Sequence, residues 1–282
     1  MCFKFVLPKD ELAIAEEAAS WVAMSLDDFS RAVLCTFDQG ADPALRAAAH
    51  SQLGALKASP GGWSFCLQAF SASTEDRVKF WCLQTLVDVV KVQRRYEQLP
   101  EDQKRVIRAA LSSWVQSRSG VQSDQAPYIM NKFAQLLVQV VRIDYPHAWP
   151  EVFPQLFAHL QNGPAAIDMF LRILDSIHEE VVSSEGGGYD SKVAQRVKDG
   201  MRSQCLPQMA DAWLSILKLQ GAPALVAMCL NTVHMYIPWI DISLVANRPF
   251  LELLLAFVHE PQLHEGACLC LSDIVAKRME PQ

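Results

Sequence analysis

The stretch RVKFWCLQTLVDVVK, residues 77–91, decides the fold of this chain. When it is placed on a helix at about 100° per residue, most positions are apolar and the others fall on one narrow stripe. The stripe consists of Arg77, Trp81, Gln84, Asp88 and Lys91. A helix this apolar is packed on most of its sides. A tryptophan on the polar stripe indicates a surface that is accessible to a partner, or else a side chain that covers the edge of the next helix.

The rest of the chain repeats this pattern of an apolar helix followed by a short polar, proline or glycine break. Asp27 or Asp28 is predicted to cap the first helix, and Asp42 followed by Pro43 marks the start of the second. The first predicted helix ends at about Phe37. The later predicted helices occupy residues 42–56, 63–70, 75–91, 100–116, 127–143, 147–160, 165–182, 191–219, 222–236, 242–259 and 262–277. The longest breaks, residues 118–125 and 183–190, are predicted to be solvated loops.

Pairing these helices gives repeating units of roughly 35 to 50 residues, the size of HEAT-type helical hairpins. Alternating patterns typical of strands are absent from the sequence. Each hairpin has an apolar face that only a neighbouring hairpin can cover. We therefore predict an all-α protein, an α-solenoid of HEAT-like helical hairpins in a right-handed superhelical array.

The composition is that of a folded chain with a slightly acidic balance. Hydrophobic residues make up 51% and charged residues 20% of the 282 residues, so the chain has ample apolar surface to bury. The net charge of -6 argues against a protein that coats nucleic acid through bulk positive charge. Eight cysteines without regular spacing favour buried thiols in a reducing compartment. No signal peptide is evident, and charged residues interrupt the apolar stretch 237–258, so membrane insertion is not expected.

Motifs that carry chemistry are missing from the sequence, which contains no phosphate-binding loop, dinucleotide fingerprint, nucleophile elbow or zincin motif. His259 and His264 superficially resemble zinc ligands, but Pro261 lies between them and a five-residue spacing places them about 140° apart on a helix. Cys268 and Cys270 are about 200° apart, which predicts packing instead of a disulfide or a shared metal. We expect no enzyme activity, no metal and no cofactor.

Basic residues cluster on the segment that begins at residue 191. Of the four basic residues there, Lys192, Arg196 and Arg202 lie within about 120° of one another on a helix, whereas Lys198 lies outside this arc. Such a stripe can bind phosphates, and the alternative is an ordinary solvated helix face.

Several stretches resemble one family closely and in order. They are VKFWCLQTLVDVVK (78–91), NKFAQLLVQVV (131–141), IDMFLRIL (167–174), RVKDGMRSQCLPQMADAW (196–213), WIDISLVAN (239–247) and IVAKRMEPQ (274–282). Through them the chain from about residue 26 to residue 282 resembles the N-terminal part of the tRNA export receptors, the exportin-T family of the importin-β (karyopherin) superfamily. The likeness is greatest to the plant and algal forms.

The resemblance implies a domain division. Residues 24–116 are predicted to be importin-β N-terminal-like HEAT repeats, and residues 117–282 exportin-1-like HEAT repeats that stop early in a longer solenoid. Residues 1–23 match nothing in the family, and Met24 lies where the family's start is expected, so they are predicted to be an added or misassigned leader. The last helix is expected to expose an apolar face that favours self-association.

The resemblance also implies function. Members of the family bind Ran in its GTP state and mature tRNA cooperatively in the nucleus, pass through the nuclear pore by contacts with its proteins, and release tRNA in the cytoplasm when GTP is hydrolysed. Ran-GTP is expected on the second helix of each N-terminal hairpin, at Arg77, Trp81, Gln84, Asp88, Lys132 and Gln135. tRNA phosphates are expected at Lys192, Arg196, Lys198 and Arg202. The alternatives are an importin-β-type receptor for protein cargo and a HEAT-repeat scaffold without a transport role.

Overall fold

A computed structural model of the chain describes residues 13–14, 24–92, 94–120, 125–183 and 189–279. Within these ranges there are fourteen α-helices and no strands, which confirms the predicted all-α class with HEAT-like hairpins. The predicted leader, apart from Ala13 and Ile14, lies outside the described residues. In chain order the helices are α1 (Leu26–Phe37), α2 (Pro43–Ala58), α3 (Gly62–Ala72), α4 (Asp76–Val87), α5 (Arg95–Gln98), α6 (Glu101–Gln116), α7 (Pro127–Asp144), α8 (Val152–His159), α9 (Pro164–Ile177), α10 (Tyr189–Gln204), α11 (Leu206–Leu217), α12 (Pro223–Tyr236), α13 (Arg248–Phe257) and α14 (His264–Met279).

The chain divides into two compact units. Unit 1 comprises Met1–Ser117 and Asp124–Val140, and unit 2 comprises Arg118–Ser123 and Val141–Gln282. The assignment of residues 24–116 and 117–282 to two family domains stays a prediction.

Unit 1 is built from antiparallel hairpins whose helices pair in sequence order. Helix α1 packs on α2, α3 packs on α4, and α1 also contacts α4. Phe29 of α1 is fully buried, and its ring meets both Phe65 and Trp81 edge to face, with 5.2 Å between centroids in each pair. Trp114 of α6 stacks on Phe133 of α7 at 3.8 Å, which joins the third hairpin.

Within unit 2, α9, α12 and α14 are successive neighbours. Helix α12 packs against α9 on one side and against α14 on the other. Tyr236, at the end of α12, is fully buried, and its hydroxyl donates to the carbonyl of Leu174 on α9 at 2.8 Å. Its ring also meets Trp213 of α11 edge to face at 5.4 Å. An aromatic ring with a satisfied hydroxyl therefore fills the centre of this unit.

Helix starts follow the predicted capping chemistry at one position and correct it at another. Asp42 caps α2 by accepting from the backbone of Ala44, with Pro43 at the first helical position, as predicted. The cap of α1 is Ser25, not Asp27 or Asp28. The Ser25 hydroxyl accepts from the backbone N–H of Asp28 at 3.1 Å and donates to the Asp28 carboxylate at 2.7 Å, so Asp28 orients the capping hydroxyl.

Three predicted helices are wrong in their extent. The segment 191–219 is two helices that meet at Cys205, because Pro207 in the first turn of α11 has no N–H with which to continue α10. Residues 242–259 form a short 3-10 turn, Ile242–Leu244, and then α13, which Asn247 caps. The segment predicted as helical from 147 is turns as far as Glu151.

Two of the longer helices end in a π-helical turn, which sequence periodicity did not indicate. Helix α4 is followed by Asp88–Val92 and α9 by His178–Val182 in this conformation. A π turn carries one extra residue per hydrogen-bonded ring, so it shifts the side chains that follow it relative to the helix stripe.

The first predicted solvated loop is exposed at Ser119 and Gly120 but is anchored at its start. Arg118 is only 7% exposed, and the backbone of Gly120 pairs with that of Asn162 and Ala165, both at 3.1 Å. Gly163 has a φ of 108°, and a Cβ there would lie 3.0 Å from the Gly120 carbonyl. Glycine at this position therefore permits two backbone segments to meet.

Candidate partner-binding surface

The polar stripe of α4 exists as predicted. Arg77 is exposed, and Trp81, Gln84 and Asp88 are half-buried, whereas the apolar positions outside the stripe are buried, apart from the half-buried Phe80. Gln84 donates from its amide to the Asp88 carboxylate at 2.8 Å, across one turn of the helix. Trp81 both packs on Phe29 and keeps part of its ring in solvent, so it serves the core and the surface together.

Lys57, at the end of α2, converges on the same stripe. Its ammonium lies 5.0 Å from the centre of the Trp81 ring and 3.5 Å from Oδ2 of Asp88. Its own carbonyl accepts from the Arg95 guanidinium at 3.0 Å, which fixes the backbone beneath the side chain. Contacts thus hold both the backbone and the ammonium of Lys57, and the ring and the carboxylate orient one half-buried positive charge.

A second lysine approaches α4 from the other side. The ammonium of Lys132 on α7 lies 5.5 Å from the centre of the Phe80 ring and donates to Gln135 at 2.9 Å. Tyr128, one turn earlier on α7, meets Phe80 edge to face at 5.8 Å. Partial desolvation raises the pKa of Tyr128, and the nearby Asp76 carboxylate raises it further.

These contacts define what we call the lysine–aromatic stripe, which lies within unit 1. Its members come from α2, α4, the turn after α4, and α7, and they are Lys57, Phe80, Trp81, Gln84, Asp88, Tyr128, Lys132 and Gln135. Five of them were predicted from sequence. Arg77, the remaining predicted residue, is exposed near Asp76 and Tyr128.

Sequence reasoning missed Lys57, Phe80 and Tyr128. Phe80 precedes Trp81 and was counted with the apolar side of the helix, although an aromatic residue beside Trp81 was the available signal. The side of α2 and α7 that faces α4 depends on packing between hairpins, which periodicity within one helix does not give.

Two of the four basic residues of α10 bind backbone carbonyls at the ends of other helices. The Arg196 guanidinium donates to the carbonyls of Arg142 and Ile143, the latter at 3.1 Å, and so caps the C-terminal end of α7. Lys198 donates to the Val182 carbonyl at 3.2 Å, at the end of the π turn after α9. Cations at these helix ends satisfy carbonyls that have no partner within the helix.

The other two predicted tRNA contacts have side chains at the surface. Lys192 is exposed. Arg202 is exposed as well, pairs with Asp199 at 2.9 Å and lies 5.5 Å from the centre of the Trp239 ring. The structure therefore brings Lys192 and Arg202 to solvent, while Arg196 and Lys198 are half-buried against backbone carbonyls.

The same capping chemistry recurs elsewhere in unit 2. Lys277 of α14 donates to three carbonyls that follow α12, those of Ile237 at 2.7 Å, Pro238 at 3.1 Å and Ile240. A long basic side chain from a later helix thus closes the end of an earlier one. This recurrence indicates that part of the basic content is structural.

Catalytic and metal sites need side chains that converge on one point. No group of three or more His, Cys, Asp or Glu side chains within the described ranges converges in a way that could hold a metal ion. Both Cys268 and Cys270 are free thiols, and the predicted packing holds for the buried Cys270 but is wrong for Cys268, which is exposed. No helix in the described part of the chain combines the length and apolar character needed to cross a bilayer.

Comparison with known protein families shows to which family the chain belongs. The family model described as "Exportin 1-like protein" matches residues 126–271, just over half of the chain. The chain belongs to the exportin 1-like family. The matched region begins one residue before α7 and runs into α14.

Curated relatives extend the similarity over most of the chain. Exportin-T of Arabidopsis thaliana is 35% identical over 272 residues, covering 91% of this chain and 27% of the relative. Exportin-T of Oryza sativa subsp. japonica is 36% identical over 270 residues, and that of Mus musculus is 34% identical over 258 residues; they cover 90% and 88% of this chain and 27% and 26% of the relatives. The predicted resemblance to exportin-T is thereby confirmed, and the chain spans about a quarter of the length of these relatives.

Proposed function

We propose that this exportin 1-like chain acts as part of a nuclear export receptor for tRNA that shuttles between nucleus and cytoplasm. In this proposal it binds Ran-GTP and mature tRNA cooperatively in the nucleus and releases them when GTP is hydrolysed in the cytoplasm. The observation that carries the proposal is the similarity to exportin-T over 91% of the chain, together with the helical hairpins that such a likeness requires.

The lysine–aromatic stripe is the proposed Ran-GTP surface. It combines a half-exposed tryptophan, two lysines above aromatic rings and one carboxylate on the second helix of successive hairpins. Aromatic anchors beside oriented charges are the side chains that dominate the binding energy of protein interfaces. Arg77 lies at the end of this surface nearest to the start of α4.

The proposed tRNA contacts are Lys192, Arg196, Lys198 and Arg202. Lys192 and Arg202 are placed to reach phosphates directly, because both are exposed. Arg196 and Lys198 position the helix that carries the other two residues, because they hold α10 against the end of α7 and the end of the π turn after α9. Recognition of tRNA by shape and phosphate contacts suits such a rigid helix face.

Pull-down of this chain with Ran locked in its GTP form, with and without tRNA, tests the proposal. We expect capture of GTP-loaded Ran, no capture of the GDP form, and stronger capture when tRNA is present, because both partners favour the same conformation of the receptor. Charge reversal at Asp88 combined with Trp81→Ala should abolish capture, since it removes the ring and drives Lys57 from its site. Capture that is equal for both nucleotide states would identify a scaffold, and enrichment by a protein cargo instead of tRNA would identify an importin-β-type receptor.

Salt dependence tests the tRNA contacts. Neutralising Lys192 and Arg202 to glutamine should lower the slope of log affinity against log salt by roughly one for each phosphate that the protein no longer neutralises. Lys218→Gln, which changes an exposed lysine after α11, is the control. An unchanged slope would mean that Lys192 and Arg202 are ordinary surface charges.

A further inference from the structure

Two lysines from different helices flank one pair of adjacent aromatic residues. Lys57 of α2 lies above Trp81, and Lys132 of α7 lies above Phe80, at 5.0 and 5.5 Å from the ring centres. Phe80 and Trp81 are neighbours in the chain and both are half-buried. The stripe thus has an apolar centre with one positive charge on either side.

Both charges are held in place before any partner arrives. Asp88 and the Trp81 ring orient Lys57, whose backbone is tied to Arg95, and Gln135 and the Phe80 ring orient Lys132. A lysine that lies along an aromatic face has already lost much of its rotamer freedom, so a partner loses less entropy in engaging it. Side chains that are half-buried and oriented in this way form a prepared docking surface.

The mixture of positive and negative side chains in and beside the lysine–aromatic stripe favours a protein partner over a nucleic acid. Asp88 lies 3.5 Å from Lys57, and Asp76 lies beside Tyr128, so carboxylates stand within the path that a phosphate backbone would follow. A polyanion meets repulsion at both places, whereas a protein segment can place its carboxylates only where the lysines are. The apolar centre also requires a side chain that a sugar-phosphate backbone does not supply.

We infer that the lysine–aromatic stripe docks a protein segment that presents carboxylates on both sides of an apolar side chain, with Lys57 and Lys132 as the residues that select it. The inference rests on the proposed function for the identity of the partner, Ran-GTP, but its chemistry follows from the stripe alone. One carboxylate replaces Asp88 as the partner of Lys57, and the apolar side chain covers the Phe80 and Trp81 rings.

The test uses a double variant that carries both Lys57→Gln and Lys132→Gln. The matched control is the single variant Lys104→Gln. Lys104 is likewise a lysine of unit 1 above an aromatic ring, 5.8 Å from the centre of Tyr96, but it lies on α6 outside the stripe. Binding of GTP-loaded Ran is measured by fluorescence anisotropy at several salt concentrations. We expect the double variant to bind about tenfold more weakly and to lose most of its salt dependence, while the control matches the unchanged chain.

A second probe separates the inference from the proposed function. A seven-residue peptide, with three glutamates on each side of one leucine, is titrated at low salt into the same proteins, and the double variant should again bind more weakly than the control. Ran binding that is equal in variant and control overturns the inference and leaves the proposed function standing. Absent Ran binding with selective binding of the peptide overturns the proposed function alone. Loss of tRNA binding without Ran in the double variant, or peptide binding that is absent or equal in both proteins, also overturns the inference.

Discussion

The guanidinium of Arg196 donates to the main-chain carbonyl of Ile143, 53 residues earlier in the chain, at 3.1 Å. The acceptor lies in the last turn of α7, where carbonyls have no partner within the helix. Arg196→Ala should therefore lower the free energy of unfolding by about 1–3 kcal/mol, because it leaves partly buried carbonyls without a charged donor. Chemical denaturation measures the change.

Lys192→Ala is the control for this prediction, because Lys192 is an exposed basic residue one turn earlier on the same helix. Its substitution should change stability by less than about 0.5 kcal/mol. If Arg196→Ala were equally silent, the capping contact would contribute nothing, and Arg196 would be free to serve as a phosphate ligand alone.

What the sequence could predict follows from how far apart the interacting residues are. The stripe of α4 and the Asp42–Pro43 start of α2 were predictable, because each depends on residues within one helix. The contact of Lys57 with Asp88 joins residues 31 positions apart, and that of Arg196 with Ile143 joins residues 53 apart. Packing between hairpins decides whether a lysine or arginine faces solvent or a backbone carbonyl. The sequence therefore could not show which basic residues of α10 are exposed and which bind carbonyls.

Two helical glycines should respond in opposite directions to substitution by alanine. A Cβ on Gly200 of α10 would lie 2.8 Å from Cε1 of Tyr145 and 3.2 Å from Pro146. Gly200→Ala should therefore lower stability by about 1–3 kcal/mol through overpacking. A Cβ on Gly54 of α2 would meet nothing within 4 Å, so Gly54→Ala should raise stability by about 0.5–1 kcal/mol through helix propensity.

Thermal unfolding of the two single variants under one set of conditions measures the difference. Each variant is the control for the other, because both substitutions raise helix propensity by the same amount. Only the new Cβ at position 200 approaches other side chains. A stabilising Gly200→Ala would show that α10 can move away from Tyr145 at little cost.

Cys268 and Cys270 should differ in reactivity although two positions separate them. Cys268 is exposed, whereas Cys270 is fully buried and its thiol lies 3.3 Å from the carbonyl of Leu230. Burial raises the pKa of Cys270 to about 12, which suppresses its thiolate at neutral pH. Iodoacetamide at pH 7.5 should therefore alkylate Cys268 at least about tenfold faster than Cys270.

Fragmentation mass spectrometry of the peptide that contains both thiols locates the label. The same reaction in 6 M guanidinium chloride is the control, because unfolding should make the two rates equal. Comparable labelling of Cys270 in the folded protein would mean that α14 opens readily from α12.

Asp175 should make the stability of unit 2 depend on pH near neutrality. It lies on α9 and accepts from the hydroxyl of Thr232 on α12 at 2.7 Å. Burial raises the pKa of Asp175 from 3.8 to about 6, and the nearby Glu179 and Asp168 carboxylates raise it too, against the Thr232 hydrogen bond and Arg172.

The direction of the effect follows from proton linkage. Because the folded state holds the proton more tightly than the unfolded state, the stabilisation is fully present below pH 3.8 and is lost as the pH rises through about 6. Burial lowers the pKa of His178 on the neighbouring π turn, so His178 contributes stability that is lost on acidification. The two groups act in opposite directions, and only a variant separates them.

Asp175→Asn retains an oxygen that can accept from Thr232 but removes the ionisation. Between pH 4.5 and pH 7.5 the free energy of unfolding of the unchanged chain should fall by about 1–2 kcal/mol relative to that of Asp175→Asn. Asp211→Asn, at an exposed position on α11, is the control and should follow the unchanged chain. Denaturation midpoints across this range measure the difference, in which His178 cancels because both proteins contain it. Parallel curves for the unchanged chain and Asp175→Asn would mean that the carboxyl at the junction of α9 and α12 is hydrated enough to ionise without cost.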